Sequence, residues 1–319
     1  MTLTPWIGPH GKHMQRLELH LTYTCPERCV FCSEAHRMAR YKAFPVTWGR
    51  VAKVLRQHAE RGVTNVHFTG GEPTIHPRFV DILKLARKLG MRTSIGSIGT
   101  MMSREDFARE ALPWLDEGLF SLHGPDAATH DALTRRPGSF DTVTKALRLV
   151  PTLKPDFGLF VNVVMTRGTL DTLPDTVAMA AELGAKLIIV SNTTPEGEAL
   201  DRYEELAPRL EELARVLPTV PAVAGDAVLR FFGVPMCMLG EHGMISNDLH
   251  WDARVTVEWT TQPGKVVFDG IYNWEPNRKR VHVEACNDCA LSGVCMGVYD
   301  RYAELWPTTA LAPVPRETT

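Results

Sequence analysis

The chain has no apolar run long enough to cross a bilayer. Its longest, Phe157 to Met165, is interrupted by Gly158 and Asn162, and a spanning helix takes about 20 residues. The N-terminus has no basic stretch followed by an apolar core, so no secretory signal is expected. Charge of one sign is also lacking: the net charge is −2 over 319 residues, so nothing calls for a nucleic-acid partner or an anionic membrane surface. No internal repeat and no low-complexity tract is present. Together these absences leave a cytoplasmic, reducing location as the expectation, where cysteines are metal ligands more often than disulfides. With 44% hydrophobic residues the chain can build a core as one large domain, or one large and one small.

Against that background the cysteines stand out by grouping. There are 7. Cys25, Cys29 and Cys32 fall within eight residues in a Cys-x3-Cys-x2-Cys loop; Cys237, Cys286, Cys289 and Cys295 fall in the last third. A short loop of this spacing aims three sulfurs at one point. Structural zinc takes four protein ligands, so three thiols suggest a site with one position open, as in an iron–sulfur cube held at three corners. A zinc knuckle and a Cys29/Cys32 dithiol are the plainer alternatives.

Two strands frame this loop. Leu17-Glu18-Leu19-His20-Leu21 alternates and reads as a strand leading into it. Val66-His67-Phe68 reads as a second strand, running directly into Thr69-Gly70-Gly71-Glu72-Pro73. The three-cysteine loop after a first strand, with Phe31 before its third cysteine and Gly-Gly-Glu after the second strand, resembles the radical S-adenosylmethionine (SAM) enzymes over about residues 16–195.

That resemblance implies a set of roles. Cys25, Cys29 and Cys32 would ligate a [4Fe–4S] cluster whose fourth iron binds SAM, and reductive cleavage there would give a 5′-deoxyadenosyl radical. Phe31 would pack near the adenine. Gly70 and Gly71, lacking a Cβ, would let backbone approach the ligand, and Glu72 would help fix the methionyl amino group. Ser97 departs from the Thr-Asn-Gly common among relatives. Ser121 resembles the serine facing the SAM carboxylate, and Asn162 is a candidate ribose partner. His123, at a strand end, is a candidate acid/base or carboxylate contact. Each of these polar residues has the plainer reading of a satisfied buried group.

The remaining chain alternates short apolar runs with amphipathic helices six times. Strands are expected near Arg16, at Asn65–Phe68, Arg92–Ile98, Gly118–Leu122, Phe157–Met165 and Lys186–Val190. Helices are expected near 47–61, 78–89, 103–115, 141–150 and 173–183, with a charged helix at 198–216. The pattern means a parallel sheet with crossover helices. By itself it also permits a doubly wound sheet; the resemblance implies a partial (β/α)6 barrel. The expected division is a lead-in at 1–15, the barrel at 16–225 and a small β-rich domain at 226–319. The last holds a hairpin (255–259 and 265–268), a third strand at 280–283, a helix near 298–305 and a disordered tail after Pro307. Charge runs such as Arg278-Lys279-Arg280 and Glu204-Glu205 read as solvated faces.

Four thiolates brought together across that domain suit a second [4Fe–4S] cluster or a structural zinc. Cys-x2-Cys-x5-Cys after an upstream cysteine is similar to the auxiliary-cluster SPASM and twitch domains of radical SAM enzymes. SPASM domains use seven cysteines for two clusters; four imply one cluster, which would carry electrons to or from a substrate radical. The expected activity is hydrogen abstraction from a small-molecule or peptide substrate, with flavodoxin or ferredoxin as electron donor. Fifteen residues before the first strand are too few for a folded leader-binding module. The competing class is a non-catalytic iron–sulfur carrier or cluster scaffold.

Overall fold

Strand β1 (Arg16–Thr22) sets the architecture. Its leucines, Leu17, Leu19 and Leu21, are buried in the main core, and the alternate residues Arg16, Glu18 and His20 line a cavity on the other face. Side chains alternate across a strand, so one face packs under helices and the other is polar. The computed structural model describes Ile7, residues 11–276 and residues 279–316. The expected lead-in therefore lies largely outside the described residues, as does Arg278.

Parallel strands follow in order: β2 (Asn65–Gly70), β3 (Arg92–Ser97), β4 (Glu117–Ser121), β5 (Gly158–Met165), β6 (Leu187–Asn192) and β7 (Val228–Phe232). Then come β8 (Arg254–Gln262), β9 (Lys265–Asn273), β10 (Arg280–Val281) and β11 (Val298–Tyr299). One sheet carries nine of them in the order β7-β6-β5-β4-β3-β2-β1-β8-β9. All neighbours from β7 to β8 are parallel; β9 folds back antiparallel on β8. The ladder is open, with β7 and β9 at its edges, so the barrel is partial. Residues from β1 through β9 line one lumen of about 550 Å³.

The crossover helices show why the sheet stays buried on its outer face. In the helix Trp48–Glu60 the buried positions are Val51, Ala52, Val54, Leu55 and His58, the spacing of a single apolar stripe. Helices Phe79–Lys88, Glu105–Ala111, Ser139–Leu153 and Leu173–Glu182 follow the other strands.

Several expectations need correction. The charged helix at 198–216 is three short helices, Glu198–Asp201, Tyr203–Leu206 and Leu210–Val216. Pro208 separates the last two, because the residue before a proline is pushed out of the helical region, and Ala207 is extended. The sheet does not end near residue 225: β7 continues the parallel ladder and β8 pairs with β1 through Leu17↔Val255 and Leu19↔Val257. The expected third strand at 280–283 is only β10, and it pairs with β11 instead of with the hairpin. The terminal helix starts at Asp300, after β11. The tail after Pro307 is not free. Ala290 N–H donates to Val314 O at 2.8 Å, Cys289 bridges Pro315, and Leu311 is buried. Arg280 is not on a solvated face either: it is buried in a bidentate ion pair with Asp248. Glu204 and Glu205 are exposed. Among the described residues no helix is long and apolar enough to cross a membrane.

Candidate functional site

Where β1 ends, the chain enters the three-cysteine loop, and where β2 ends the Gly-Gly-Glu turn lies directly against it. Gly71 N–H donates to Thr22 O at 2.7 Å and Glu72 N–H to Thr24 O at 2.9 Å. A Cβ on Gly71 would lie 2.2 Å from Thr24 O. One on Gly70, whose φ is +117°, would lie 2.4 Å from Thr22 O. The partner that requires these glycines is therefore the backbone entering the cysteine loop.

Glu72 is fully buried and anchors the turn on its other side. One carboxylate oxygen accepts from Ser97 Oγ at 2.9 Å, from Thr74 N at 3.2 Å and from the Thr74 hydroxyl; the other accepts from Ile98 N at 2.8 Å. Burial pushes its pKa up, and these donors pull against that rise. Ser97 is committed here: besides donating to Glu72, its hydroxyl accepts from Gly99 N at 3.0 Å.

The loop is strapped from two further directions. Arg28 N–H donates to Thr134 O and Val30 N–H to Leu133 O, both at 2.9 Å; Glu198 N–H donates to Cys32 O at 3.0 Å. Gly197, at φ +55°, lets the chain after β6 come close, since a Cβ there would sit 2.4 Å from Cys32 O. Val30 packs with Leu133 and Leu206, and Phe31 rests against them.

Desolvation dominates the electrostatics of the three thiols. Burial pushes Cys25 up to about 12, Cys32 up to about 11 and Cys29 well above its usual range, with neighbouring carboxylates and thiols adding to the rise. Glu27, not singled out by sequence, is buried beside Cys29, accepts from its Sγ at 3.4 Å and is pushed up to about 7 by burial. Thiols so desolvated become thiolates only against a strong local positive charge, which a metal centre supplies. A tight loop presenting three such sulfurs fits a three-cornered iron–sulfur cluster.

The weaker sequence candidates separate. Asn162 lines the lumen and accepts from Ser191 Oγ at 2.7 Å through Oδ1. Ser121, half-buried at the end of β4, is in register with Asn162. His123 is buried; its Nδ1 accepts from Val164 N at 3.2 Å, and burial lowers its pKa well below the usual value. It is therefore a neutral imidazole, stacked on His130 and meeting the edge of Phe31 with ring centroids 4.7 Å apart.

Cys237, Cys286, Cys289 and Cys295 line one small cavity with His282 and Leu311. Met236 N–H and Gly297 N–H each donate to Cys295 Sγ at 3.4 Å, and His282 Nε2 donates to Cys295 O at 2.7 Å. Burial and the other three thiols push Cys237 up to about 11. Four soft donors around one cavity, with amides aimed at a sulfur, suit a fully thiolate-ligated metal centre.

Sequence reasoning missed a second cluster on the lumen wall. His20 lies between Glu34 (Nδ1 to Oε2, 3.7 Å) and Glu258 (Nε2 to Oε2, 3.6 Å). Arg37 bridges the same carboxylates, 2.9 Å from Glu34 and 3.0 Å from Glu258. The alternation of β1 already placed His20 on the polar face; the pairing of β8 with β1, which brings Glu258 there, has no local signal.

A three-thiol loop at the carboxyl end of the first strand of a partial parallel barrel, locked to a Gly-Gly-Glu turn, defines a class of cluster-bearing barrel enzymes. The profile described as Radical SAM superfamily matches residues 19–180, and this chain belongs to that superfamily; it is an enzyme. It is 33% identical over 206 residues to the PqqA peptide cyclase of Rhodopseudomonas palustris, covering 64% of this chain and 53% of that one. It is 29% identical over 211 residues to the PqqA peptide cyclase of Gluconobacter oxydans, covering 65% and 58%. The chain thus spans about half the length of the curated relatives it matches. Among solved structures, SuiB of Streptococcus suis bound to precursor peptide SuiA superposes with TM-score 0.60 at 15% identity, over 76% of this chain and 57% of SuiB. The anSMEcpe structure with bound AdoMet gives TM-score 0.60 at 16% identity over 93% of both chains. At those identities the likeness is one of fold. Membership in the superfamily sets aside the reading as a passive carrier or scaffold, and it implies a [4Fe–4S] cluster and SAM as cofactors.

Proposed function

We propose that this chain cleaves SAM reductively at Cys25, Cys29 and Cys32 and uses the 5′-deoxyadenosyl radical to take hydrogen from a peptide or small molecule held in the lumen. The observation that carries this reading is the interlock of the cysteine loop with Gly70-Gly71-Glu72, whose chain neighbours Ser33, Glu34 and Thr69 line the lumen. Cys25, Cys29 and Cys32 would hold a [4Fe–4S] cluster, which would supply the one-electron reduction for cleaving the sulfonium bond of SAM. The chain's own residues do the rest. Cys25, Cys29 and Cys32 would be that cluster's protein ligands and would leave SAM a position to bind. Glu72 fixes the turn against β3. Asn162 offers a polar group on the lumen wall, and the sheet encloses the radical away from bulk water. A peptide substrate is favoured by the likeness to the PqqA peptide cyclases.

Cys237, Cys286, Cys289 and Cys295 would hold a second [4Fe–4S] cluster. With all four positions taken by thiolate, it offers substrate no open iron and suits electron transfer to or from a substrate radical, with flavodoxin or ferredoxin as the external donor. Anaerobic, dithionite-reduced, iron-replete protein incubated with SAM is expected to release 5′-deoxyadenosine, and Cys29→Ala to release none. Iron-replete wild-type protein that forms no 5′-deoxyadenosine, even with peptide and small-molecule substrates offered, would sink the reading.

A further inference from the structure

We propose that the lumen selects its substrate through a basic group, an alkylammonium or guanidinium, seated on Glu34 and Glu258 beside the cysteine loop. This rests on the radical chemistry proposed for the same site and names the class of substrate it takes.

Among the described residues, seven carboxylates and four guanidiniums line the lumen, a formal excess of three negative charges leaving histidine out of the count. Confined charge of one sign in a low-dielectric cavity concentrates ligands of the other sign. The excess has a focus at the His20, Glu34 and Glu258 cluster, whose ligand atoms all lie within 4.8 Å of one another. His20 and Glu258 side chains are 6% and 4% exposed. His20 Nδ1 and Glu34 Oε2 are buried without a hydrogen-bond partner; their 3.7 Å separation is too long for a hydrogen bond. Buried polar atoms are normally partnered, so this pair is built for something that enters.

Two features favour an organic cation over a metal ion. The two ring nitrogens of His20 face different carboxylates, so whichever nitrogen ligated an ion would have only one of the carboxylates at its nearest approach. Arg37 already engages the other oxygen of each carboxylate, and Glu34 Oε2, which has no hydrogen-bond partner, is left to accept from a donor instead of joining a coordination shell. The rest of the wall suits a peptide: Arg16 Nε, Arg230 Nε and Trp251 Nε1 line the same lumen as buried, unpartnered donors, available to ligand carbonyls. Glu34 is two residues past Cys32, so a cation held there lies beside the proposed radical source.

The test is saturation-transfer NMR on reconstituted protein saturated with SAM, which is itself cationic. The probes are N-acetyl-lysine amide and N-acetyl-arginine amide, with the glutamine and glutamate analogues as neutral and acidic controls. The basic probes are expected to bind about tenfold tighter than either control. Glu258→Gln and Glu34→Gln are each expected to remove about that factor. Near-UV circular dichroism checks folding, and the half-exposed Glu34 position serves if Glu258→Gln does not fold. Equal binding of all four probes by wild-type protein that still forms 5′-deoxyadenosine overturns this inference and leaves the SAM reading standing. Selective binding of basic probes by protein that forms none, even with peptide and small-molecule substrates offered, supports the inference and sinks that reading. Stoichiometric Mn²⁺ binding seen by EPR and lost in His20→Asn overturns it in favour of a metal site.

Discussion

Glu18 illustrates what a polar lumen asks of a single residue. Burial alone would raise its carboxyl pKa, but Arg254, Arg16, His67 and His20 outweigh it and hold it at about 2. Thr256 Oγ1 donates to it at 3.1 Å and Arg254 lies 3.5 Å away. A carboxyl whose folded pKa lies below its unfolded value adds stability above the unfolded pKa and loses it as pH falls through the folded one. With the side chain 22% exposed, Glu18→Gln is expected to lose about 2–3 kcal/mol near pH 7. The gap to wild type should close between about pH 4.5 and 2, read by urea unfolding across that range. Gly71 is the complementary case, a residue whose missing atom matters. Gly71→Ala forces a Cβ onto the carbonyl of Thr24, so we expect a loss of about 1–3 kcal/mol together with reduced iron retention, whereas Gly138→Ala, where the φ is +80° but a Cβ meets nothing within 4 Å, should leave iron content unchanged.

At the scale of elements, the segment carrying Cys286, Cys289 and Cys295 is tied to the sheet partly through one buried ion pair. Arg280 in β10 forms a bidentate pair with Asp248, both side chains 1% exposed, and lies over the Phe232 ring of β7. Removing one partner of a buried pair leaves the other charge unpaired, at about 3–5 kcal/mol. Arg280→Ala is therefore expected to lower the melting temperature and to raise hydrogen exchange in 279–300 first. If exchange rises in β1–β6 instead, the pair does not hold that segment. The hairpin of β8 and β9 was legible in the sequence, because Val255–Trp259 alternates, Val266-Val267-Phe268 is a short apolar run, and Gln262-Pro263-Gly264 reads as the turn between them. That β8 would pair with β1 was not: parallel pairing between residues 16 and 254 leaves no local pattern, since both strands alternate alike whichever neighbour they take.

For the whole molecule, the two thiol groups sit at different places in one fold: one where β1 leaves the sheet, the other in the segment folded back by residues 308–316. Anaerobically reconstituted wild-type protein is expected to hold about eight irons per chain; zinc at the second site would give about four plus one zinc. Cys289→Ala should fall to about four irons and still release 5′-deoxyadenosine from SAM, while Cys29→Ala should keep the second centre and release none. Equal loss of iron in both variants would mean that the two centres do not assemble independently.

The sequence by itself determined the local things: strands and crossover helices from periodicity, the superfamily from Cys25, Cys29, Cys32 and Gly70-Gly71-Glu72, and the grouping of seven cysteines as three and four. These are readable because spacing along the chain is their physical content. Only the tertiary structure decided that Gly71 is needed by the backbone of Thr24, that Ser97 is spent on Glu72, that β8 completes the lumen, and that His20, Glu34 and Glu258 meet. Each of those depends on which distant backbone approaches which, and that is fixed by how the strands close around a common cavity.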